Sequence, residues 1–402
     1  MTVTFKPCTL RGQVDAPPSK SMAHRYLISA ALSGQPCTLG GVDFSEDVLA
    51  SMDCLRALGA TLTTEGDTVR IDPRGFMQAE SPVLECRESG STLRFFIPLA
   101  LCLGREVTLR GSGRLFERPL GIYEELCRDK GFTFRREKDQ VTLCGSLTGG
   151  HYRVRGDVSS QFITGLILAL VYAGGDSAVE ILPPFESRPY VALTVSALRS
   201  FGGDVSFEGD STVRIHAAPL HGYSGRIEGD YSNAAFLDAF NRLGSEIRIG
   251  NLDPHSLQGD RVYAACFDAL EQGTPTLDLS DCPDLGPVLI AMAAMKQGAT
   301  FTGTDRLKAK ESDRGEAMRR ELEKLGGGLS FGDNTITVPG QTLAYQGIPL
   351  DGHNDHRIVM ALSVILSRTG GCLTGAEAVR KSYPGFFRDI QGLGAETEVT
   401  EL

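Results

Sequence analysis

The chain has no excess of positive charge, no apolar run of membrane-spanning length, no metal-type cysteine spacing and no low-complexity linker. Lys and Arg number 40 against 50 Asp and Glu, a net charge of −10. That balance argues against general nucleic-acid binding, which needs a basic surface, while leaving room for a locally basic cleft. The longest apolar stretches fall short of the roughly 20 residues that cross a bilayer. The ten cysteines sit mostly inside apolar helix patterns (Cys54, Cys102, Cys127, Cys266). They read as buried thiols of a reducing compartment rather than metal ligands. The sequence enters strand-like residues at once, Thr2 to Leu10, without a signal-peptide pattern, so a cytoplasmic location is expected. At 402 residues the chain is too long for one core and suggests two or three domains.

What is present is a repeat. Six times, at intervals near seventy residues, a polar loop runs into an apolar helix. The copies are 19–32, 88–103, 159–172, 230–243, 281–295 and 351–366. The stretches Ile163 to Tyr172, Val288 to Met295 and Ile358 to Leu366 are apolar all round, the pattern of a helix inside a protein. Five copies continue into a second, amphipathic helix such as Val48 to Leu58 or Glu316 to Leu325, closed by glycine. Alternating stretches follow, among them Thr61 to Ile71, Gln140 to Cys144 and Thr212 to Ile215, and read as half-wet strands. The repeat is therefore βαβαββ-like, and the fold class is α/β.

The polar residues fall at equivalent places, the amino ends of buried helices. Such an end offers free N–H donors and the positive pole of the helix dipole, which suits an anion. The first loop is Pro18-Ser19-Lys20-Ser21, with Arg25 one turn on. The second is Glu88-Ser89-Gly90-Ser91-Thr92, with Arg94 on its helix; glycine lets a ligand approach the backbone. Glu117-Arg118-Pro119 reads as a further helix start. The third loop is Ser159-Ser160-Gln161, and the later ones are Asp281 to Asp284 and Asn354-Asp355-His356-Arg357. Between the last two runs Arg306 to Arg314, and Lys381 opens the final segment.

Taken singly, each is an ordinary cap or a solvated charge. Taken together, Lys20, Arg25, Arg94, Arg118, Lys310, Arg314, Arg357 and Lys381 concentrate positive charge in an acidic protein. That is the footprint of a small polyanionic substrate. Asp284 and Glu311 stand among these cations, and carboxylates in that setting are candidates for proton transfer.

The ordered set Pro-Ser-Lys-Ser, Ser-Gly-Ser-Thr-Leu-Arg at 89–94, Glu-Arg-Pro at 117–119, Ser-Ser-Gln at 159–161, Lys-Glu-Ser-Asp-Arg at 310–314 and Asn-Asp-His-Arg at 354–357 resembles the 5-enolpyruvylshikimate-3-phosphate synthase family over nearly the whole chain. The resemblance implies a two-domain inside-out α/β prism of six βαβαββ repeats, three per domain. Residues 1–15 with 228–402 would form one domain and 16–227 the other, with the active site in the cleft between them. It implies transfer of the enolpyruvyl group of phosphoenolpyruvate to the 5-hydroxyl of shikimate 3-phosphate, by addition then elimination, without metal or organic cofactor. The pathway would be the shikimate route to chorismate and the aromatic amino acids. A monomer is expected, with no nucleic-acid or membrane partner.

Carried over residue by residue, the resemblance makes Asp284 the base for the hydroxyl. Glu311 and Lys20 would handle the proton at the enol methylene. Ser21, Arg25, Ser159, Ser160, Ser187 and Lys310 would lie near shikimate 3-phosphate. Gln161 would stand where the two substrates meet. Lys20, Gly90, Arg118, Arg314, Arg357 and Lys381 would contact phosphoenolpyruvate. Two positions depart from the usual family pattern, Glu88 and Arg306. An acidic Glu88 beside an anion site should point away or pair with a cation such as Arg87.

Two other readings stand beside this one. The sister enolpyruvyl transferase acting on UDP-N-acetylglucosamine usually carries a reactive cysteine before an Arg-Pro step. Here Gly111 to Pro119 has none. A non-catalytic anion-binding repeat protein would not need Asp284 and Glu311 among the cations.

Overall fold

The computed structural model describes residues 1–401. The chain divides into two compact units, Met1–Pro17 with Gly229–Leu402, and Pro18–Glu228. Each has its own apolar core.

Five of the six sheets have four strands; three run first, second, fourth, third in chain order, and in the other two a distant strand takes the first or the fourth place. The repeat at 83–144 shows the design. Val83–Glu85 pairs in parallel with Val107–Arg110, and that register demands a crossover, here the helix Gly90–Leu101. After the helix Gly121–Lys130, the hairpin of Thr133–Arg136 and Gln140–Cys144 returns antiparallel against the second strand. Two sheets are completed by distant residues. Ser224–Arg226 pairs with Cys37–Gly40 in the first repeat, and Thr2–Phe5 lies between Gly371–Thr374 and Thr397–Thr400 in the last.

The fourth repeat is truncated. Arg11–Asp15 pairs in parallel with Glu246–Gly250, and the helix Tyr263–Gln272 leads directly to the next repeat. Its sheet has two strands where the others have four. The sequence carries the sign of it: about fifty residues separate Asp230 from Asp281, against about seventy between other neighbouring copies. Five repeats are thus complete and the fourth is βαβα.

The second helices end alike because their sequences do. The amide of the residue after a glycine reaches back five residues to a carbonyl: Ala60 to Leu55 at 3.0 Å, Phe132 to Cys127 at 2.8 Å, and Gly203 to Leu198, Gly327 to Leu322 and Ala395 to Ile390 at 2.9 Å. This is the Schellman closure, which places a left-handed residue just before the donor. Gly59, Gly131, Gly202, Gly326 and Gly394 supply it, at φ between 70° and 103°, where a side chain would be strained.

The first helices are the buried ones. Gly286–Met295 is buried from Gly286 to Ala294, and His356–Thr369 from His356 to Ser367. In Ser160–Ala173 the burial stops at Leu170, and Tyr172 is 40% exposed, unlike the all-round apolar reading. Within Pro18–Glu228, the helices Lys20–Leu32 and Gly90–Leu101 both pack on Ser160–Ala173. In the other unit, Tyr231–Arg242, Gly286–Met295 and His356–Thr369 pack on one another. Each unit therefore packs three of the first helices together.

Candidate active site

In Pro18–Glu228 the first loop is ordered by its own side chains. Ser19 caps the helix, its hydroxyl accepting from the Met22 amide at 3.4 Å. Lys20 is the first helical residue, and its Nζ donates to Asp47 Oδ2 at 2.8 Å, with both side chains largely buried. One turn on, Arg25 is 3% exposed. Its Nε donates to Thr194 Oγ1 at 2.9 Å, its Nη1 to the Ser21 carbonyl at 2.6 Å, and its Nη2 to Thr164 Oγ1 at 3.3 Å and the Tyr190 carbonyl at 2.9 Å. Four of the five guanidinium N–H donors are thus spent inside the unit. Burial pulls the Arg25 pKa down to about 10. The residue is a strut between helices.

The second loop meets the third helix. Ser89 caps Gly90–Leu101, accepting from the Thr92 amide at 3.2 Å. Arg94 Nη1 donates to Gln161 Oε1 at 2.6 Å, and Gln161 Nε2 donates to Ser91 Oγ at 2.9 Å. Gln161 therefore links the second and third helix starts, with its own amide bound to Ser159 Oγ at 3.3 Å. Ser160 is buried as the first residue of its helix. Arg118 is buried, and its guanidinium lies over Gly90. Pro119 does not stand at helical position one; that helix starts at Gly121. Ser187 is buried in a left-handed conformation at φ 53°, just before the helix Arg188–Ser200.

A chain of small polar groups beneath these loops joins Ser89 and Thr92 to three residues the sequence did not mark, His24, Ser51 and Asp47. His24 Nδ1 lies 2.8 Å from Ser51 Oγ, which lies 2.9 Å from Thr92 Oγ1. Thr92 Oγ1 in turn lies 2.8 Å from Ser89 Oγ and 3.3 Å from the Asp47 carbonyl. Burial first, then the charges of Lys20 and Arg25, hold the His24 pKa well below its ordinary 6.5, so the ring is neutral. The chain ties the Lys20 partner, Asp47, to the loop that carries Gly90. His24 and Ser51 are single polar residues in helix patterns, which sequence spacing does not distinguish from solvated side chains.

In the other unit the carboxylates and cations interlock. Asp284 Oδ1 accepts from Lys310 Nζ at 3.1 Å and Arg314 Nη1 at 2.9 Å, and Oδ2 accepts from Arg357 Nη2 at 2.9 Å. Arg314 Nη2 donates to Glu311 Oε2 at 2.8 Å. One guanidinium thus holds both carboxylates singled out in the sequence. Arg314 is 1% exposed. Burial works against its charge, but Asp355, Glu311 and Asp284 more than offset this and raise its pKa. Burial pulls Lys310 down to about 8, against the opposing pull of Asp284. Lys381 Nζ donates to the Asn354 carbonyl at 2.7 Å.

Two further residues belong to this cluster, Asp355 from the loop 354–357 and Ser232 from the repeat at 230–243. Asp355 is fully buried and caps the helix His356–Thr369, its Oδ1 accepting from the Arg357 amide at 2.9 Å. Ser232, in the truncated repeat, accepts from Arg357 Nη2 at 3.0 Å and hydrogen-bonds to Asp230 Oδ1 at 2.5 Å. The signal for Asp355 was its place at the start of an apolar helix, which reads as a cap and hides the second role.

The departing positions have local partners. Arg87 donates to Asp53 Oδ2 at 2.8 Å and pairs with Glu46, while the Glu88 carboxylate lies against Gly113. Arg306 Nη1 donates to the Ser280 carbonyl at 3.3 Å. Among the described residues, no group of three or more His, Cys, Asp or Glu is placed to hold a metal ion, and no helix is long and apolar enough to cross a membrane.

Comparison with known proteins gives one consistent family. The family model described as EPSP synthase (3-phosphoshikimate 1-carboxyvinyltransferase) matches residues 5–390. A 3-phosphoshikimate 1-carboxyvinyltransferase of Clostridium kluyveri is 39% identical, covering 98% of each chain. One from Clostridium perfringens is 35% identical over the same shares. Among solved structures, EPSP synthase from Acinetobacter baumannii superposes over 100% of both chains with a TM-score of 0.79 at 21% identity. The enolpyruvyl transferase NikO from Streptomyces tendae follows at 0.77 and 16% identity, covering 99% of this chain and 98% of that one. The last two likenesses are likenesses of fold.

Proposed function

The chain belongs to the EPSP synthase family, and on that premise we propose that its two residue clusters serve one reaction. That reaction transfers the enolpyruvyl group of phosphoenolpyruvate to the 5-hydroxyl of shikimate 3-phosphate and releases phosphate. Addition forms a bond from the hydroxyl oxygen to the enol carbon bearing phosphate, while the methylene gains a proton to become methyl. Elimination then removes a methyl proton and expels phosphate.

Each demand of that sequence has a candidate group. Asp284 takes the hydroxyl proton. Glu311 and Lys20 deliver the proton to the methylene and take it back. Shikimate 3-phosphate is bound by Ser21, Arg25, Ser159, Ser160, Ser187 and Lys310. Phosphoenolpyruvate is bound by Lys20, Gly90, Arg118, Arg314, Arg357 and Lys381, with Gln161 between the two. Fixed cations of this kind stabilise charge gathering on the departing phosphate.

The observation that carries the reading is the Arg314 guanidinium, bound at once to Asp284 at 2.9 Å and Glu311 at 2.8 Å. It holds two carboxylates with different proposed duties in one fixed frame, which proton transfer at two neighbouring substrate atoms requires. The test is phosphate release from phosphoenolpyruvate with shikimate 3-phosphate as acceptor, run beside UDP-N-acetylglucosamine. Release only with the first supports the reading. Release only with the second makes the chain the sister transferase, and release with neither leaves an anion-binding protein.

A further inference from the structure

We infer that Asp355 is a positioning residue for both proposed catalytic carboxylates, acting through Arg314. The inference rests on the roles proposed above for Asp284 and Glu311. Asp355 itself is 0% exposed, so it touches no reacting atom.

Its four hydrogen bonds say what it does. Oδ2 accepts from Arg314 Nε at 2.9 Å and from Ser312 Oγ at 3.0 Å. Oδ1 accepts from Arg314 Nη2 at 3.4 Å and from the Arg357 amide at 2.9 Å. The two Arg314 contacts form a fork on the Nε edge of the guanidinium. A fork fixes the plane and rotation of a guanidinium, where a single contact fixes only a distance. Once the plane is set, the remaining donors have set directions. Nη1 points at Asp284 and the second Nη2 proton at Glu311. Ser312 holds the segment between Glu311 and Arg314, and the capped amide belongs to Arg357, which also grips Asp284. One buried carboxylate thereby sets the frame for two carboxylates and two cations.

A cap alone would not need this arrangement. Asparagine caps a helix about as well as aspartate, but it presents an amide nitrogen and no charge to one side of the fork. Asp355→Asn therefore separates the two duties. In the full chain, kcat should fall about 10–100-fold, the usual range for removing a partner that orients a reacting group. The KM for shikimate 3-phosphate should change less than about threefold, and the melting curve should stay cooperative.

The deciding measurement is a double-mutant cycle with Arg314→Lys, which keeps the charge but cannot receive a fork. On the Arg314→Lys background, Asp355→Asn should lower kcat by less than about threefold. A full and independent loss on that background overturns the inference, as does unchanged kcat for Asp355→Asn alone. If the asparagine variant does not fold, Asp355→Ser, which also caps but is too short for the fork, runs through the same cycle with the same criteria. Asp284→Ala and Glu311→Gln are measured in parallel. If these two keep normal turnover, the proposed catalytic roles fail. If they lose turnover and Asp355→Asn does not, only the positioning role fails.

Discussion

A methyl group on Gly90 would stand 2.5 Å from Nη1 of Arg118. The guanidinium lies across the glycine because nothing projects from it. The sequence placed Gly90 where a bound anion would touch backbone, and the structure adds a cation on the same spot. Gly90→Ala must therefore displace Arg118 before it crowds any ligand. The expected result is a raised KM for phosphoenolpyruvate with a smaller change for shikimate 3-phosphate. Steady-state measurements with each substrate varied in turn check this; an equal rise in both constants, or none, rejects it.

Asp284 is held by three cations. Asp284→Ala should lower turnover by about 10²–10⁴-fold, the typical worth of general-base catalysis. On the proposed assignment it also removes a negative charge that would compete with anionic substrate for Lys310, Arg314 and Arg357. Binding of shikimate 3-phosphate, followed by calorimetry, should accordingly hold or tighten while turnover collapses. Near-normal turnover would remove Asp284 from the role of base.

Much of this was legible in sequence, for physical reasons that also mark where legibility ends. The repeat could be read because burial dictates an apolar first helix and glycine dictates the Schellman end; Leu55, Leu198, Leu322 and Ile390 are both the pattern and the observed acceptors. The truncation of the fourth repeat was written in its spacing. Cations at helix starts could be read because they are unusual there. Asp47, Asp355 and Ser232 could not, because aspartate and serine at a helix start already have a sufficient reason to be there. What separates an ordinary helix-start aspartate from one that also holds Lys20 or Arg314 is a contact between residues 27 or 41 positions apart, which no local pattern carries.

Arg25 shows the opposite case, a residue singled out for a ligand that is largely engaged by protein. Arg25→Ala would take a buried charged donor from Thr194, Thr164 and the Tyr190 carbonyl, which keep their bonds to one another. Hydrogen bonds to a charged group contribute about 1.5–3 kcal/mol each. The variant should therefore unfold at clearly lower denaturant as well as bind shikimate 3-phosphate more weakly. Paired unfolding and binding measurements test this. Weakened binding at wild-type stability would show that the contacts to Thr194 and Tyr190 contribute little.

Lys20 and Asp47 form the largely buried ion pair of the first loop, 2.8 Å apart. Lys20→Met keeps the length of the stem and removes the charge, so it should both raise the KM for phosphoenolpyruvate and lower kcat. Asp47→Asn leaves the lysine in place and should lower kcat with less effect on KM. Equal changes in the two constants for both variants would count against a proton-transfer role for Lys20 distinct from binding.

Lys310 gives the site a pH dependence. Burial lowers its pKa from 10.5 to about 8, so the empty enzyme loses this positive charge as pH rises through about 8. Bound phosphate favours the ammonium and pushes the loss to higher pH. The alkaline limb should therefore appear in kcat/KM for shikimate 3-phosphate, which reports the free enzyme, and be weaker in kcat, which reports the complex. Stability moves the other way. The unfolded chain holds this proton more firmly than the folded one, so the burden on folding is fully present below about 8 and is relieved as pH climbs from about 8 to 10.5. Lys310→Arg, which stays charged throughout, should flatten the limb. Profiles of kcat/KM from pH 6 to 10 on both enzymes decide it, and an unchanged alkaline limb in Lys310→Arg would assign the titration to another group.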